Sequence, residues 1–236
     1  VVVNALPNIQ LNAPADLCYG YELQVEASGA ASYAWFVNGV ENASTNASLS
    51  MQINEDVELS VVGTNQFGCE TTETVNVGVL IAPESMFDIP AVAGCSPVSF
   101  NLYHDNGSDA EYTWLINDVP YFGTSVTLNE SGLFDVTLLA VGDNGCVSSF
   151  TLDGIAEVYP LPTAAFTTVN SEVNILNPIV RFVNQSQGAV DYFWQFAGEG
   201  VSTEESPDYE FPAIAETGYE ICLEAVNQFG CSDETC

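Results

Sequence analysis

Three copies of one short pattern constrain the fold of this chain more than any other feature of its sequence. A Tyr-x-Trp core followed by apolar residues occurs at Tyr33–Val37, Tyr112–Ile116 and Tyr192–Phe196. The tryptophans at positions 35, 114 and 194 are therefore 79 and 80 residues apart. A chain that repeats itself at such a period is expected to fold as a tandem array of similar units.

A second repeated segment, rich in Asn and Gly, ends in a cysteine. These segments, called the cysteine turns below, span residues 65–69, 142–146 and 227–231. The first and third are identical as Asn-Gln-Phe-Gly-Cys. Because Asn and Gly favour the backbone angles of tight turns, each segment is predicted to join two strands of a hairpin.

A third landmark is a proline-containing linker between units. Val3–Pro7 matches Val158–Pro162, and a weaker copy ends at Pro83. Val1–Val3 are then expected to be the last strand of a preceding repeat, and the third unit to stop before its own last strand is complete, as in a segment of a longer array. The landmarks predict the tail of a preceding repeat at 1–6 and three repeats at 7–82, 83–161 and 162–236.

Between these landmarks, apolar and polar side chains alternate with a period of two, which is typical of β-strands. Val57, Leu59 and Val61, for example, alternate with Glu58 and Ser60. Short alternating strands around a tryptophan predict an all-β fold of three tandem immunoglobulin-like β-sandwiches that form an extended rod. The predicted core residues are Trp35, Trp114, Trp194 and Tyr219.

The charge balance excludes several classes of function. The chain has 32 acidic residues and one basic residue, Arg181, for a formal net charge of −31, while 47% of its residues are hydrophobic. Binding to nucleic acid or to anionic lipid needs several Lys or Arg side chains, so neither is expected. A site with several histidines is impossible because His104 is the only one.

The chain has no apolar run of 18 or more residues, so direct membrane insertion is not expected. Arg181, the single basic residue, is predicted to pair with an acid on the solvent side.

The spacing of the first four cysteines suggests a disulfide in each of the first two repeats. Cys18 and Cys69 are separated by 51 residues, and so are Cys95 and Cys146. Without a CxxC or histidine partner a zinc site is disfavoured. The predicted bridges are therefore Cys18–Cys69 and Cys95–Cys146, which places the protein outside the cytoplasm.

The third repeat breaks this cysteine pattern. It has Leu176 in the region where the second repeat has Cys95, so Cys231 is predicted to lack the usual partner. Folding the hairpin around residues 227–230 brings Cys222 opposite Cys236, which predicts a bridge on the solvent face. For Cys231 a buried free thiol is favoured, and a partner outside this sequence or a different pairing remains open.

No arrangement in the sequence predicts catalysis. Glu204-Glu205 and His104 with nearby Ser108 are interpreted as solvated loop residues, so the chain is not expected to be an enzyme. Oxygen ligands suit calcium, but none of the acidic clusters has calcium-loop spacing, and diffuse screening of the charge is favoured over a defined site. No other cofactor is expected. The weak calcium candidates are Asp105, Asp109, Glu199, Glu204 and Glu205.

The third repeat resembles PKD domains. The stretch Trp194–Gly200 is similar to the family's W-D-F-G-D-G turn, and Gly218–Leu223 is similar to its G-x-Y-x-V-x-L strand. The closing N-x-F-G-C-S-D-x-x-C pattern is similar to PKD repeats in very large surface proteins of gliding Bacteroidota. The first two repeats resemble the immunoglobulin-like relatives in the same arrays. The resemblance implies export by the type IX secretion system, an extracellular position at the cell surface, and a role in adhesion or gliding.

Two functions are favoured by these features over a third, a fibre subunit in which Val1–Val3 pair with the exposed edge of another chain. The first is a non-catalytic structural or adhesive segment of an extracellular repeat filament or stalk. The alternative is a PKD or immunoglobulin-like spacer, or a carbohydrate-binding accessory region, of a secreted hydrolase. The expected partners are neighbouring repeats of the same chain, together with surface polysaccharide or other cell-surface proteins. Outward aromatic residues such as Phe122 and Tyr159 are the candidates for contact with sugar.

Overall fold

The computed structural model describes residues 3–105, 109–169, 178–197, 200–212 and 218–236. Within these ranges every regular element is a β-strand, so the predicted all-β class is confirmed. Three separate clusters of buried apolar side chains lie between paired sheets, one within each predicted repeat. The repeat limits themselves stay a prediction.

The first repeat is a sandwich of two sheets. Its sheets have the strand orders β1-β3-β6 and β2-β8-β7-β4-β5. The alternation predicted for residues 57–61 is confirmed, because Val57, Leu59 and Val61 are buried and Glu58 is exposed. The strands are β1 Gln10–Asn12, β2 Asp16–Cys18, β3 Glu22–Ser28, β4 Ser32–Val37, β5 Val40–Asn42, β6 Ser48–Gln52, β7 Val57–Thr64 and β8 Glu70–Leu80.

The second repeat is also a sandwich of two sheets, of which the smaller has two strands instead of three. Its sheets have the orders β10-β13 and β12-β11-β14-β15-β9. Trp114 is half-buried and packs edge-on against Phe87, with ring centroids 4.8 Å apart. The strands are β9 Val92–Cys95, β10 Val98–Asn101, β11 Ala110–Ile116, β12 Val119–Tyr121, β13 Ser125–Leu128, β14 Gly132–Gly142 and β15 Val147–Tyr159.

The third repeat has the most aromatic core, in which Phe182, Trp194 and Phe196 are fully buried and Tyr219 is half-buried. Its sheets have the orders β16-β17-β20 and β19-β18-β21-β22. The strands are β16 Phe166–Thr168, β17 Ile179–Asn184, β18 Asp191–Phe196, β19 Gly200–Ser202, β20 Asp208–Glu210, β21 Ile221–Val226 and β22 Ser232–Thr235.

Two of the tryptophans satisfy their polar atom in the same way. Trp35 and Trp194 are both fully buried. The indole N–H of Trp35 donates to the carbonyl of Asn46 at 2.8 Å, and that of Trp194 donates to the carbonyl of Glu204 at 2.9 Å. A large apolar ring with a satisfied N–H can be buried without an unpaired donor, which explains why this residue recurs at the centre of the pattern.

A short parallel strand pair closes the first two repeats. Strand β2 runs parallel to β8, with Cys18 opposite Leu80, and β9 runs parallel to β15, with Cys95 opposite Tyr159. Leu80 and Tyr159 are the last residues of their strands. Each of these two cysteines therefore lies beside the point where its repeat ends and the linker begins.

The chain divides into two compact units. The first comprises Val1–Met86, Asp105–Thr113 and Leu138–Phe150, and the second comprises Phe87–His104, Trp114–Thr137 and Thr151–Cys236. Each unit contains the linker after one repeat and the cysteine turn of the following repeat.

Candidate functional site

Two joints between repeats combine a cysteine, a linker and a cysteine turn. The first joint, within the first compact unit, comprises Cys18, the linker 80–83 and the turn 142–146. The second joint, within the second unit, comprises Cys95, the linker 159–162 and the turn 227–231. The same combination of cysteine, linker and turn occurs twice among the described residues, so the joints are the candidate site.

The cysteine turns share one backbone conformation. Gly68, Gly145 and Gly230 have φ angles of +81°, +80° and +80°, values that a residue with a side chain rarely adopts. In each turn the glycine N–H donates to the carbonyl three residues earlier, at 2.8–3.0 Å, and the N–H of that earlier residue donates to the cysteine carbonyl. The predicted hairpin turns are therefore present, and the glycine is the residue that each of them requires.

An asparagine amide ties each cysteine turn to the linker in front of it. In the first joint Asn144 Nδ2 donates to the carbonyl of Ile81 at 3.0 Å. In the second joint Asn227 Nδ2 donates to the carbonyl of Pro160 at 2.7 Å. The side-chain oxygens of both asparagines accept backbone N–H groups of their own turns. One side chain thus holds the turn and the linker together.

A disulfide crosses each joint. Cys18 is bonded to Cys146, with 5.7 Å between their Cα atoms, and Cys95 is bonded to Cys231, with 5.5 Å. Cys146 and Cys231 are 0% and 1% exposed. Cys18 and Cys95 lie beside the last residue of the final strand of their repeats. Each bridge therefore joins this end of one repeat to the cysteine turn of the next.

This finding corrects the predicted bridges Cys18–Cys69 and Cys95–Cys146. Cys18 lies opposite the last residue of β8, whereas Cys69 precedes the first residue of the same strand. The strand has 11 residues, so at 3.3 Å per residue its ends are about 35 Å apart. A disulfide requires Cα atoms within about 7 Å. Likewise, Cys95 lies opposite the last residue of β15 and Cys146 precedes its first.

The remaining cysteines follow from the same geometry. The predicted bridge Cys222–Cys236 is present, with Cα atoms 4.1 Å apart, because β21 and β22 form a hairpin. Cys231 is not left over, since it is bonded to Cys95. The free thiol is Cys69, which is half-buried.

Further contacts differ between the joints. In the second joint Tyr159 stacks on Phe229, with ring centroids 4.6 Å apart and planes 6° from parallel. Asp233 accepts the backbone N–H of Ala164 at 2.8 Å. In the first joint the hydroxyl of Ser148 donates to the carbonyl of Pro83 at 2.5 Å. Desolvation, with the neighbouring carboxylate of Glu157, raises the pKa of the Tyr159 phenol.

The single basic residue pairs as predicted. Arg181 Nε and Nη2 donate to the two carboxylate oxygens of Asp208 at 2.8 and 2.9 Å. Both side chains are solvent-exposed. This hydrogen bond lowers the pKa of Asp208 and raises that of Arg181, with the opposite charge acting in the same direction.

The predicted calcium residues form no defined cluster among the described residues. Asp105, Asp109, Glu204 and Glu205 are exposed, and Glu199 lies outside the described residues. Cys222, Glu234 and Cys236 are the one group there with three metal-binding side chains close together, and two of them are consumed by a disulfide. Calcium binding stays a prediction. Of the aromatic residues considered for sugar contact, Phe122 is 89% exposed, whereas Tyr159 stacks on Phe229.

The described residues include no helix with the length and apolar character needed to span a bilayer. No protein-family model matches the chain, and no curated protein does. The PKD resemblance therefore stays a prediction.

Solved structures with similar folds include tandem modules from different sources. A three-immunoglobulin I-band fragment of titin is 12% identical, with a TM-score of 0.36 and coverage of 98% of both chains. A 1.5-MDa bacterial ice-binding adhesin is 14% identical, with a TM-score of 0.32 and coverage of 98% of this chain and 96% of that one. Fibronectin(III)-like modules of Clostridium thermocellum CbhA are 11% identical, with a TM-score of 0.32 and coverage of 65% and 95%. TM-scores below 0.5 define neither a family nor an activity for this chain.

Proposed function

We propose that this chain is a non-catalytic structural segment of an extracellular tandem-repeat protein, and that its disulfide-crossed joints carry mechanical load. The observation that supports this proposal is the overlap of two covalent loops. One loop runs from Cys18 to Cys146 and the other from Cys95 to Cys231. Because the second loop begins inside the first, the backbone of residues 95–146 belongs to both loops.

The overlap limits how far the chain extends under tension. Three stretches of backbone connect the two bridges in parallel: 18–95, 95–146 and 146–231. The shortest, 95–146, sets the limit, which is about 180 Å at roughly 3.5 Å per residue. Without the bridges, the backbone from Cys18 to Cys231 extends to about 750 Å. Unfolding of one repeat would therefore lengthen the chain by only a fraction of the contour length of the backbone from Cys18 to Cys231.

The environment of such a chain is an oxidising one. Structural disulfides persist in secreted and surface proteins, and thiol-reducing systems remove them in the cytosol. A net charge of −31 opposes side-by-side association of like segments through mutual repulsion. The disulfides support an extracellular, cell-surface location.

Adhesion, and in particular gliding adhesion after type IX secretion, is the more specific role that we propose. It is supported by the motifs of the third repeat that resemble PKD domains. Neighbouring repeats are the proposed immediate partners, and surface polysaccharide or other surface proteins are the proposed external ones. Calcium is proposed only as a mobile counter-ion of the acidic surface.

Single-molecule stretching of the chain from its two ends tests the mechanical role. Between the bridges, the oxidised chain should extend by no more than about 180 Å, and the reduced chain by about 750 Å. The variant Cys95→Ser/Cys231→Ser keeps one joint bridge, Cys18–Cys146, together with Cys222–Cys236, and is the matched control. Its limit is the backbone from Cys146 to residue 231, about 300 Å. Equal extension of the oxidised and reduced chains would refute the proposal.

A further inference from the structure

We infer that Cys69 is the receiving half of a third joint, and that it forms a disulfide with a cysteine on the short parallel strand of a preceding immunoglobulin-like repeat. That repeat is one whose last strand continues into Val3–Pro7. The inference rests on the architecture of the two observed joints and not on the mechanical role proposed above.

The cysteine turn of the first repeat already has the conformation of a bridged turn. Gly68 has the same positive φ as Gly145 and Gly230. The N–H of Gly68 donates to the backbone carbonyl of Asn65, and the N–H of Asn65 donates to the backbone carbonyl of Cys69, both at 3.0 Å. Cys146 and Cys231, which occupy the place of Cys69 in the other two turns, are each bonded to a cysteine of the preceding repeat.

The linker half of this third joint is assembled as well. Asn65 Nδ2 donates to the carbonyl of Ala5 at 2.7 Å. Ile81 and Pro160 accept the corresponding hydrogen bonds in the observed joints, and each directly follows the residue that lies opposite a bridged cysteine. By this register, the residue opposite the missing cysteine is Asn4.

The surface around Cys69 lacks the cover that the other two turns have. Cys69 is half-buried, whereas the bridged turn cysteines are 0% and 1% exposed. Phe67 is 60% exposed, and its counterpart Phe229, stacked on Tyr159, is 45% exposed. A preceding repeat seated as in the second joint would cover this surface.

The partner must be a thiol from outside the described pairs, since the six other cysteines are bonded to one another. Bond formation removes one proton from each thiol and joins the two sulfur atoms. The two electrons pass to an exchange-competent disulfide, such as that of a dithiol oxidoreductase, which is reduced to two thiols. The oxidising exterior that maintains the other bridges supplies this class of oxidant.

An extended chain tests the inference directly. A copy of residues 83–157 is placed before Val3 of the 3–236 chain, so that the linker alignment is kept. The separation between the copied Cys95 and Cys69 then falls between the 128 and 136 residues of the observed bridges. In the copy, Cys146→Ser removes the thiol that would itself lack a partner.

Thiol titration in denaturant without reductant gives the readout. The 236-residue chain should have one free thiol, and the extended chain should have none. Peptide mapping should link Cys69 to the copied Cys95. With Cys95→Ser also made in the copy, one free thiol should return at Cys69. A free Cys69 in the extended chain, a dimer linked through Cys69, or a bond from Cys69 to another cysteine would each overturn the inference.

A second readout does not depend on oxidation. In the extended chain with both copied cysteines replaced by serine, docking alone should slow alkylation of native Cys69 at least about tenfold relative to the 236-residue chain, because burial of a thiol limits its reactivity. Formation of the three native bridges in the same sample shows that the rest of the chain is folded. Equal alkylation rates in the two chains would contradict docking of a preceding repeat.

Discussion

The two joints achieve the same connection with different residues. Both have a disulfide from the end of one repeat to the cysteine turn of the next, and both have an asparagine amide on the linker carbonyl. In the second joint the asparagine is the first residue of the turn, Asn227, whereas in the first joint it is the third, Asn144. The contact is kept although the position of its donor is not.

Local packing explains the shift. The first joint has Gly142 where the second has Asn227, and a Cβ atom on Gly142 would lie 3.2 Å from Pro83 Cδ and 2.6 Å from Asn144 Oδ1. A side chain at that position would displace the contacts that Asn144 makes. The repeated feature is therefore a hydrogen bond to the linker carbonyl, and not an asparagine at a fixed position of the turn.

Removal of either joint disulfide should have the largest effect on stability, and the two effects should be nearly equal. The chain-entropy model gives about 5 kcal/mol for loops of this length, and the loops are 128 and 136 residues. Paired serine variants, Cys18→Ser/Cys146→Ser and Cys95→Ser/Cys231→Ser, measured by urea denaturation, test this.

The Cys222–Cys236 bridge serves as the internal control. It closes a loop of only 14 residues, for which the same model gives about 3 kcal/mol. If its removal destabilised the chain as much as removal of either joint bridge, loop closure would not explain the stability of the joints.

Asn227→Ala should destabilise the chain by about 2–3 kcal/mol, because it leaves buried backbone donors without an acceptor. Asn227 is 6% exposed, and its side chain bonds two N–H groups and the Pro160 carbonyl. Asn144→Ala should cost about 1 kcal/mol, since Asn144 is exposed and water can replace its bonds. Thermal denaturation of both variants measures the difference. Equal losses would show that burial does not distinguish the joints.

Phe229→Ala should cost about 1 kcal/mol beyond the loss of buried area, because it removes the stack on Tyr159. Phe67→Ala, at the corresponding position of the first turn, is the matched control and should change stability little. Urea midpoints of the two variants give the comparison. A larger loss for Phe67→Ala would contradict the assignment of the stack to the second joint.

The exposed pair Arg181–Asp208 should have the smallest effect, visible only in the pH dependence. The pKa of Asp208 is lowered in the folded chain. The pair's contribution to the free energy of unfolding is therefore present above the ordinary pKa of an aspartate, and it is lost as the pH falls through the lowered value. Asp208→Asn should remove this acid-range component and leave stability at neutral pH almost unchanged. A change at neutral pH as large as that of Asn227→Ala would contradict this view.

The tandem organisation, the strands and the burial of Trp35 and Trp194 could be predicted from the sequence, because each depends on local patterns. The period of Trp35, Trp114 and Trp194 marks the units, and alternation marks strands such as β7. The pairing of Cys18 with Cys146 could not be predicted in this way. The equal spacing between cysteines favours a bridge from Cys18 to Cys69 within the repeat. Only the parallel pairing of the three-residue strand β2 with β8 reveals that Cys18 lies beside the last residue of β8, at the opposite end of that strand from Cys69.

The joints are therefore not predictable from these spacings, although their cysteines, linkers and turns are all repeated features of the sequence. The signal that could have found them was the third repeat, which keeps Cys231 but has Leu176 where an internal partner was expected. A turn cysteine retained without that partner indicates a bond to another repeat. The first turn shows the same pattern, because Cys18 is bonded to Cys146 and Cys69 therefore has no partner within its own repeat.

Peptide mapping without reduction determines which cysteines are bonded to each other. Acidic residues separate all seven cysteines along the chain, so cleavage after Asp and Glu places each cysteine on its own peptide, under conditions that block free thiols first. We expect a linked pair containing Cys18 and Cys146, a second containing Cys95 and Cys231, and an alkylated Cys69. A linked pair containing Cys18 and Cys69 would contradict these pairings.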